Sequence, residues 1–208
     1  MKPGGPPGEV RLSGGKPGSA RPTGGRQGEV RLIGGLWKRT RLPVADRPGL
    51  RPTPDRVRET LFNWLGQDLG GWRCVDAFAG SGALGFEAAS RGAAEVLMVE
   101  QDAALVAQLG AVKTRLAATG VRIERGDGVA ALRRLPPAGL DLVFLDPPFD
   151  ADLFEPALQA AQAAVRPQGF VYLEAPAAWD EAALSALGLA PWRHLKAGAV
   201  HAHLLQRF

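Results

Sequence analysis

The stretch DAFAGSGALG, residues 76–85, carries glycines at positions 80, 82 and 85. This is the G-x-G-x-x-G spacing of a turn that joins a strand to a helix and holds an adenosyl ligand at the start of that helix. A predicted strand, 73–78, leads into the turn and a predicted helix, 83–91, follows it, which is the context that the motif requires. The glycines predict a loop for an adenosyl ligand without deciding which one.

The rest of the chain alternates strand and helix patterns. The segment DLVFLD, 141–146, is apolar almost throughout, as expected of a strand covered on both faces of a parallel sheet. Gly34 and Gly35 predict the turn of an N-terminal hairpin, and Thr53 followed by Pro54 predicts an N-cap and a helix that runs to about Leu65. Further strands are predicted over 73–78, 95–100, 121–125, 140–146, 168–174, 190–196 and 199–206, and further helices over 83–91, 103–118, 128–134, 152–165 and 180–187. These elements predict a Rossmann-like α/β fold with a seven-stranded, mostly parallel sheet, helices on both faces and an N-terminal β-hairpin.

Composition narrows the class of protein. With 208 residues, 46% of them apolar, the chain can bury a substantial core. Cys74 is the single cysteine, which excludes an internal disulfide and a cysteine-rich zinc site and fits a cytoplasmic protein. No apolar run approaches the roughly 20 residues of a membrane-spanning helix. We therefore expect a cytoplasmic protein without membrane contact, and a monomer by default.

Charge is distributed unevenly along the chain. Residues 1–58 hold 13 Lys/Arg against 4 Asp/Glu, whereas residues 59–208 hold 12 against 17. A basic N-terminal segment followed by a mildly acidic remainder of the chain indicates binding to a polyanion, and the alternative is that the basic segment is a solubilising tail. We predict a flexible Gly/Pro-rich tail over 1–27, an RNA-binding hairpin with its connection over 28–52, and a catalytic domain over 53–208. The predicted RNA-binding residues are Arg31, Trp37, Lys38, Arg39, Arg41, Arg51, Arg56 and Arg58.

Two carboxylates near the glycine loop narrow the choice of ligand. Glu100 ends the next predicted strand, 20 residues after Gly80, where it can accept hydrogen bonds from a ribose diol. Asp76 would repel the pyrophosphate of NAD in a cleft of low dielectric, but would attract the ammonium and sulfonium charges of S-adenosyl-L-methionine, unless it merely caps the loop. Asp127 is equally suited to accept from the adenine amino group and to cap the following helix. The predicted cofactor-binding residues are Asp76, Ala79, Gly80, Ser81, Gly82, Glu100, Gln101, Asp127 and Gly128.

The segment DPPF, 146–149, follows directly on an apolar strand. Pro147 and Pro148 fix the backbone and remove two donors, so that rigid carbonyls remain. The Asp146 carboxylate and the Pro147 carbonyl can accept the N–H bonds of an exocyclic amino group, while Phe149 stacks on the base. Methyl transfer from a sulfonium to an amine depends on positioning more than on a strong base. Asp146, Pro147, Pro148 and Phe149 are therefore predicted to form the acceptor site, with a simple strand-ending turn as the alternative.

Residues for other chemistry are missing or misplaced. Cys74 lies inside the first predicted strand of the sheet, where it cannot serve as the nucleophile that methylation at a pyrimidine C5 requires. His201 and His203 would share one face of a strand, and His194 precedes them, but no cysteine or carboxylate cluster completes a ligand set. No metal is therefore predicted.

Five segments resemble, in order, the bacterial RsmD family of 16S rRNA (guanine-N2)-methyltransferases: RLIGGLWKRTRLPV (31–44), PGLRPTPDRVRETLFNWL (48–65), DAFAGSGALGFEAASRGA (76–93), LDPPF (145–149) and KAGAVHAHLLQR (196–207). The resemblance covers residues 28–208. It implies methyl transfer from S-adenosyl-L-methionine to guanine N2 in 16S rRNA, within an assembled or partly assembled small ribosomal subunit. The alternatives are an adenine-N6 methyltransferase acting on DNA or RNA, an NAD-dependent dehydrogenase and a non-catalytic RNA-binding or assembly factor.

Overall fold

An antiparallel hairpin opens the structure, a computed structural model that describes residues 28–45, 53–149 and 151–208. Strand β1 (Gly28–Arg31) pairs with β2 (Arg41–Val44), and Val30 lies opposite Leu42. The predicted hairpin is therefore confirmed. The predicted tail 1–27 and the predicted RNA contact Arg51 lie outside the described residues.

Strands and helices alternate along the rest of the chain. They are α1 (Asp55–Leu65), β3 (Arg73–Asp76), α2 (Ala83–Ser90), β4 (Glu95–Glu100), α3 (Ala103–Arg115), β5 (Val121–Arg125), α4 (Gly128–Arg134), β6 (Leu140–Leu145), α5 (Phe154–Ala164), β7 (Val165–Ala175), α6 (Glu181–Ala186), β8 (Leu189–Ala197) and β9 (Val200–Arg207). All seven predicted strands of the sheet and all six predicted helices are confirmed. None of these helices is long and apolar enough to cross a membrane.

The seven-stranded sheet has the order β5-β4-β3-β6-β7-β9-β8. The five strands from β5 to β7 run parallel, and β9 is antiparallel to both of its neighbours. Strands β4 and β5 follow β3 on one side of it, and the chain then crosses back so that β6 pairs with the other side of β3. Ligands of such sheets bind where this reversal leaves a crevice beyond the carboxyl ends of the strands. Asp76 ends β3 and Asp146 follows β6, so the two predicted sites meet at this switch point.

Two hydrophobic clusters cover the two faces of the sheet. Helices α1, α2 and α3 pack on one face and α4, α5 and α6 on the other. Alternate residues of β3 serve both clusters, because Cys74 faces the first and Val75 the second. The apolar side chains of the hairpin join the first cluster; they are Val30, Leu32, Leu42 and Val44. The hairpin therefore shares its core with the helices beside it.

Candidate active site

The glycine loop turns sharply between β3 and α2. Gly80 and Gly82 have φ angles of 51° and 78°, in the left-handed region that disfavours side chains. The Gly82 N–H donates to the Ala79 carbonyl over 2.7 Å, and a Cβ on Gly82 would lie 2.6 Å from the Leu109 side chain. Helix α2 begins directly after this turn with no side-chain cap. Within the described residues, the Gly85 N–H of the first turn bonds to the Asp76 side chain, while the Ala83 and Leu84 N–H groups have no side-chain partner and can bind an anionic or polar ligand group.

The buried side chain of Asp76 stabilises the turn through a hydrogen bond. The side chain is 1% exposed, and its Oδ2 accepts a hydrogen bond from the Gly85 N–H over 3.0 Å. Burial raises the pKa of Asp76 from its ordinary value of 3.8 to about 7; the Gly85 N–H opposes this shift, and the charge of Glu100 adds to it. The capping alternative is thus observed. Contact with a cationic ligand group stays a prediction, and a cation beside this carboxyl would favour its charged form.

Glu100 links the glycine loop to the next helix. Its Oε2 accepts from the Gly80 N–H over 2.8 Å, and its Oε1 accepts from the Asp102 N–H over 2.9 Å. Asp102 in turn caps α3 by accepting from the Ala104 and Leu105 N–H groups. Each Glu100 oxygen keeps a second lone pair, so the predicted ribose contact is compatible with these bonds.

Asp127 caps α4, which was one of the two predicted roles. Its Oδ1 accepts from the Ala130 N–H over 2.7 Å, and its Oδ2 accepts from Gln101 over 3.2 Å. A Cβ on Gly128 would lie only 2.0 Å from the Ala77 carbonyl oxygen, so α4 begins in close contact with the end of β3. The predicted cofactor-binding residues therefore lie together beyond β3, β4 and β5, although a contact from Asp127 to adenine stays a prediction.

The predicted acceptor site, residues 146–149, forms a turn that we call the acceptor turn. It begins at Asp146, between the ends of β3 and β7. Asp146 is half-buried, Pro147 is buried, and Pro148 and Phe149 are exposed. Burial raises the pKa of Asp146 well above its ordinary value, and the charge of Glu174 raises it further. A charged Asp146 therefore becomes more populated as the pH rises.

Aromatic rings continue the exposed side of this turn. The Phe149 ring centroid lies 6.2 Å from that of Phe154, which lies 6.5 Å from that of Trp179. Phe154 and Trp179 also line a cavity of about 340 Å³ together with residues 175–178, Asp180 and Ala183. Phe149 is 42% exposed, so its ring is available for stacking on a base.

Glu174 is a buried carboxyl of the candidate site that was not predicted from the sequence. It lies near the end of β7, is 3% exposed, and its Oε1 accepts from Thr53 over 2.6 Å and from the Tyr172 hydroxyl over 2.9 Å. Burial raises the pKa of Glu174, while the Thr53 and Tyr172 hydrogen bonds lower it. The only signal in the sequence is one charged residue within the apolar run VYLEA.

The Thr53 contact corrects the predicted helix cap. Helix α1 begins at Asp55, with Pro54 at the cap position and no side-chain cap, and the Thr53 hydroxyl donates to Glu174 instead of accepting from the helix. A partner 121 residues away in the sequence therefore takes the hydroxyl that the local pattern assigned to the helix.

The assignment of Arg58 to RNA binding is wrong. Arg58 is 0% exposed and lies on the apolar face of α1, three and four residues before Leu61 and Phe62. Its guanidinium lies 2.7 Å from Asp55 and 3.5 Å from Glu87, and donates to two backbone carbonyls. An arginine enclosed in this way cannot present its charge to a nucleic acid.

Glu87 and Ser90 of α2 hold the hairpin loop. The Glu87 carboxylate accepts from the Ile33 and Gly34 N–H groups over 2.7 and 2.8 Å and pairs with Arg91 over 2.8 Å. Ser90 Oγ accepts from the Trp37 N–H over 2.9 Å and donates to the Gly34 carbonyl over 2.7 Å. The basic loop is therefore fixed to the helix whose other end carries the glycine loop.

The other predicted RNA-binding residues differ in exposure. Trp37 is partly buried against the first hydrophobic cluster. Arg31 pairs with Asp55 over 3.5 Å and Arg41 with Glu29 over 3.0 Å, but such exposed pairs are weak and leave both arginines accessible. The exposed members of the predicted set are Arg31, Lys38, Arg39, Arg41 and Arg56.

Cys74 is buried in β3, and burial raises the pKa of its thiol. It is therefore held as a neutral thiol away from any cleft, as a structural residue.

The chain is similar in sequence and structure to named methyltransferases. "Ribosomal RNA small subunit methyltransferase D" of Escherichia coli K12 is 46% identical over 119 residues, which are 57% of this chain and 60% of that protein's length. The protein of the same name from Haemophilus influenzae is 41% identical over 144 residues, 67% of this chain and 75% of that protein. The solved structure of the "putative methyltransferase yhhF" from Escherichia coli has a TM-score of 0.74 and 35% identity. The matched region covers 86% of this chain and 98% of the chain in that structure.

The sequence model of a family described as Conserved hypothetical protein 95 matches residues 30–206, from the hairpin to the last strand. The match includes the glycine loop, the acceptor turn and the switch point between them. The chain therefore belongs to the family described as Conserved hypothetical protein 95, the RsmD family that its motifs resemble.

Proposed function

We propose that this chain transfers a methyl group from S-adenosyl-L-methionine to the exocyclic N2 amino group of a guanine in 16S rRNA. The observation that carries the proposal is the position of the glycine loop and the acceptor turn, which follow the adjacent strands β3 and β6 at one switch point. The relatives named Ribosomal RNA small subunit methyltransferase D support the substrate.

The residues around the glycine loop fit S-adenosyl-L-methionine. Asp76 is a buried carboxyl whose charged form a neighbouring cation would favour, and Glu100 has lone pairs left for a ribose diol. The uncapped start of α2 can receive the carboxylate of the methionine part. When bound, this cofactor supplies an electrophilic methyl group on a sulfonium.

The acceptor turn holds and orients the amino group. The Asp146 carboxylate and the Pro147 carbonyl each accept one N–H of guanine N2, which turns the nitrogen lone pair out of conjugation with the ring. Phe149 stacks on the base and limits its rotation. Fixing the nucleophile in this way supplies most of the rate acceleration, because it replaces a bimolecular encounter by a positioned one.

A second carboxyl beside Asp146 favours guanine over adenine. Next to its amino group, guanine presents the N1–H donor, whereas adenine presents the lone pair of N1. We propose that Glu174, whose charge acts on Asp146 and whose Oε1 already accepts from Thr53 and Tyr172, offers its Oε2 as a second acceptor to this edge of the base. Guanine offers two neighbouring donors, N2–H and N1–H, so each of the two carboxyls can accept a hydrogen bond. With adenine, the second carboxyl would face the N1 lone pair and would be left as a buried group without a hydrogen bond.

The exposed basic residues of the hairpin and α1 form the proposed RNA-binding surface; they are Arg31, Lys38, Arg39, Arg41 and Arg56, with Trp37 beside them. We propose that this surface contacts the phosphate backbone of an assembled or partly assembled small ribosomal subunit. The enzyme acts as a monomer in the cytoplasm, with residues 28–52 as the RNA-binding element and 53–208 as the catalytic domain.

The test uses small subunits isolated from cells that lack this enzyme, incubated with the full chain and a labelled methyl donor. We expect one N2-methylguanine in 16S rRNA, located by digestion and mass spectrometry. Asp146→Ala should lose this product while it still binds S-adenosylhomocysteine in calorimetry. The matched control is Asp152→Ala, which removes an exposed carboxylate from the following loop and should leave the product unchanged. Labelled adenine, unlabelled rRNA or an active Asp146→Ala would refute the assignment.

A further inference from the structure

The three histidines of the chain, His194, His201 and His203, come together on the ribbon formed by β8 and β9. His194 lies opposite His203 in the register of the two strands, and His201 is two residues away on the same face. The sequence pattern pairs only His201 with His203 and predicts no metal, because the register that brings in His194 is decided by the pairing of β8 with β9. One nitrogen from each ring lies within 4.8 Å of the other two, and His194 Nε2 is 3.0 Å from His201 Nδ1.

His203 contains a buried nitrogen without a partner. The residue is 4% exposed, and within the described residues its Nε2 has no hydrogen-bond partner. The Ala177 backbone carbonyl is the acceptor that acts on this ring, and Nε2 is the ring nitrogen that has no partner within the described residues. A buried polar atom without a partner costs about 1–3 kcal/mol. A carbonyl bond to one ring nitrogen with the other left as acceptor is the arrangement that orients a metal-ligating histidine.

The composition of this cluster selects the class of ion. Over the described residues the group contains imidazoles only, without a cysteine or carboxylate. Imidazole suits zinc, copper and nickel, whereas magnesium and calcium prefer oxygen ligands. Nitrogens that share one tetrahedral zinc ion lie about 3.3 Å apart, given Zn–N bonds of about 2.0–2.1 Å. The three nitrogens lie within 4.8 Å of one another, so side-chain rotations have to shorten their separations by at most about 1.5 Å to reach this value.

We propose that His194, His201 and His203 bind one divalent transition-metal ion of the zinc class. His194 is exposed, so the fourth coordination position is open to solvent, as in three-histidine zinc sites that keep a bound water. His201 pairs with Ala175, the residue that ends β7, so the site lies at the same edge of the sheet as the acceptor turn. The proposal does not depend on the proposed methyl transfer.

One nearby charge works against the ion and provides a control. Lys196 lies opposite His201 in the same register, and its exposed side chain shares the face of the three histidines. A positive charge there repels a cation, although the long side chain can extend into water. Lys196→Gln removes this repulsion without removing a ligand, so it should bind the ion equally well or up to a few-fold more tightly.

The experiment uses the full chain without a histidine tag, first treated with a chelator. Isothermal titration with Zn²⁺ should give one ion per chain, and Co²⁺ should give the visible absorption of a four-coordinate site. His194→Ala, at an exposed position, should weaken binding by at least about tenfold, since loss of an outer-shell partner alone costs that much. His203→Ala should do the same if it folds. Absence of stoichiometric binding, or a His194→Ala variant that binds as well as the parent, would overturn the site and leave a hydrogen-bonded histidine stack.

Discussion

Replacing Asp76 by asparagine separates the stability of the fold from its proposed affinity for a cationic cofactor. Burial raises the pKa of Asp76 from 3.8 to about 7, so the folded chain binds this proton more tightly than the unfolded chain does. The associated contribution to the free energy of unfolding is fully present below about pH 4 and is lost as the pH rises through about 7. At 1.36 kcal/mol per pH unit, the whole shift corresponds to about 4 kcal/mol.

The Asp76→Asn side chain would keep the hydrogen bond to Gly85 through its amide oxygen but has no charge to bury. Urea unfolding without cofactor at pH 5 and pH 8 measures the effect. We expect the parent chain to lose about 2–3 kcal/mol relative to Asp76→Asn over this interval, because part of the shift falls below pH 5. The variant should bind S-adenosylhomocysteine and S-adenosyl-L-methionine about tenfold more weakly, since a charged hydrogen bond is replaced by a neutral one.

Glu59→Gln is the matched control, because it also removes one negative charge but from an exposed position on α1. Its unfolding free energy should follow that of the parent chain at both pH values. If the parent and Asp76→Asn lose stability in parallel between pH 5 and pH 8, the argument from burial of the carboxylate is refuted.

Four further substitutions test the surrounding structure. Arg58→Met should lower the free energy of unfolding by about 3 kcal/mol or more in urea titrations, because it leaves two backbone carbonyls without their donor and the buried Glu87 with one arginine instead of two. Arg56→Met at an exposed position should change stability by less than about 0.5 kcal/mol and weaken rRNA binding more at low salt than at high salt. Gly128→Ala should destabilise the chain by about 1–3 kcal/mol in the same titrations, since its Cβ would overlap a backbone carbonyl oxygen of the neighbouring strand, and an unchanged midpoint would contradict this packing. Glu174→Gln should move the acidic limb of the activity profile to lower pH, because the charge of Glu174 helps to raise the pKa of Asp146; a limb that stays in place would show that Asp146 is not the titrating group.

Local patterns in the sequence were enough to predict most of the fold. The glycine spacing at 80, 82 and 85, the apolar strands and the DPPF turn depend on backbone conformations and side-chain periods that act over a few residues. Right-handed crossovers then restrict where successive parallel strands can lie, so the switch point follows from the order of the elements. For these reasons the elements and the two ends of the candidate site could be predicted before the structure was known.

Only the tertiary structure decided which residues that are distant in the sequence contact each other. Arg58 has the spacing of an apolar position, but Glu87 of α2 and the Arg31 carbonyl of the hairpin, both distant in the sequence, help to make that position suitable for a charge. Thr53 has the local features of a helix cap, yet its hydroxyl donates to Glu174. His194 joins the other histidines because β8 and β9 pair in one particular register. A side-chain period defines the face on which a residue lies, whereas the group that it meets there depends on how separate elements pack.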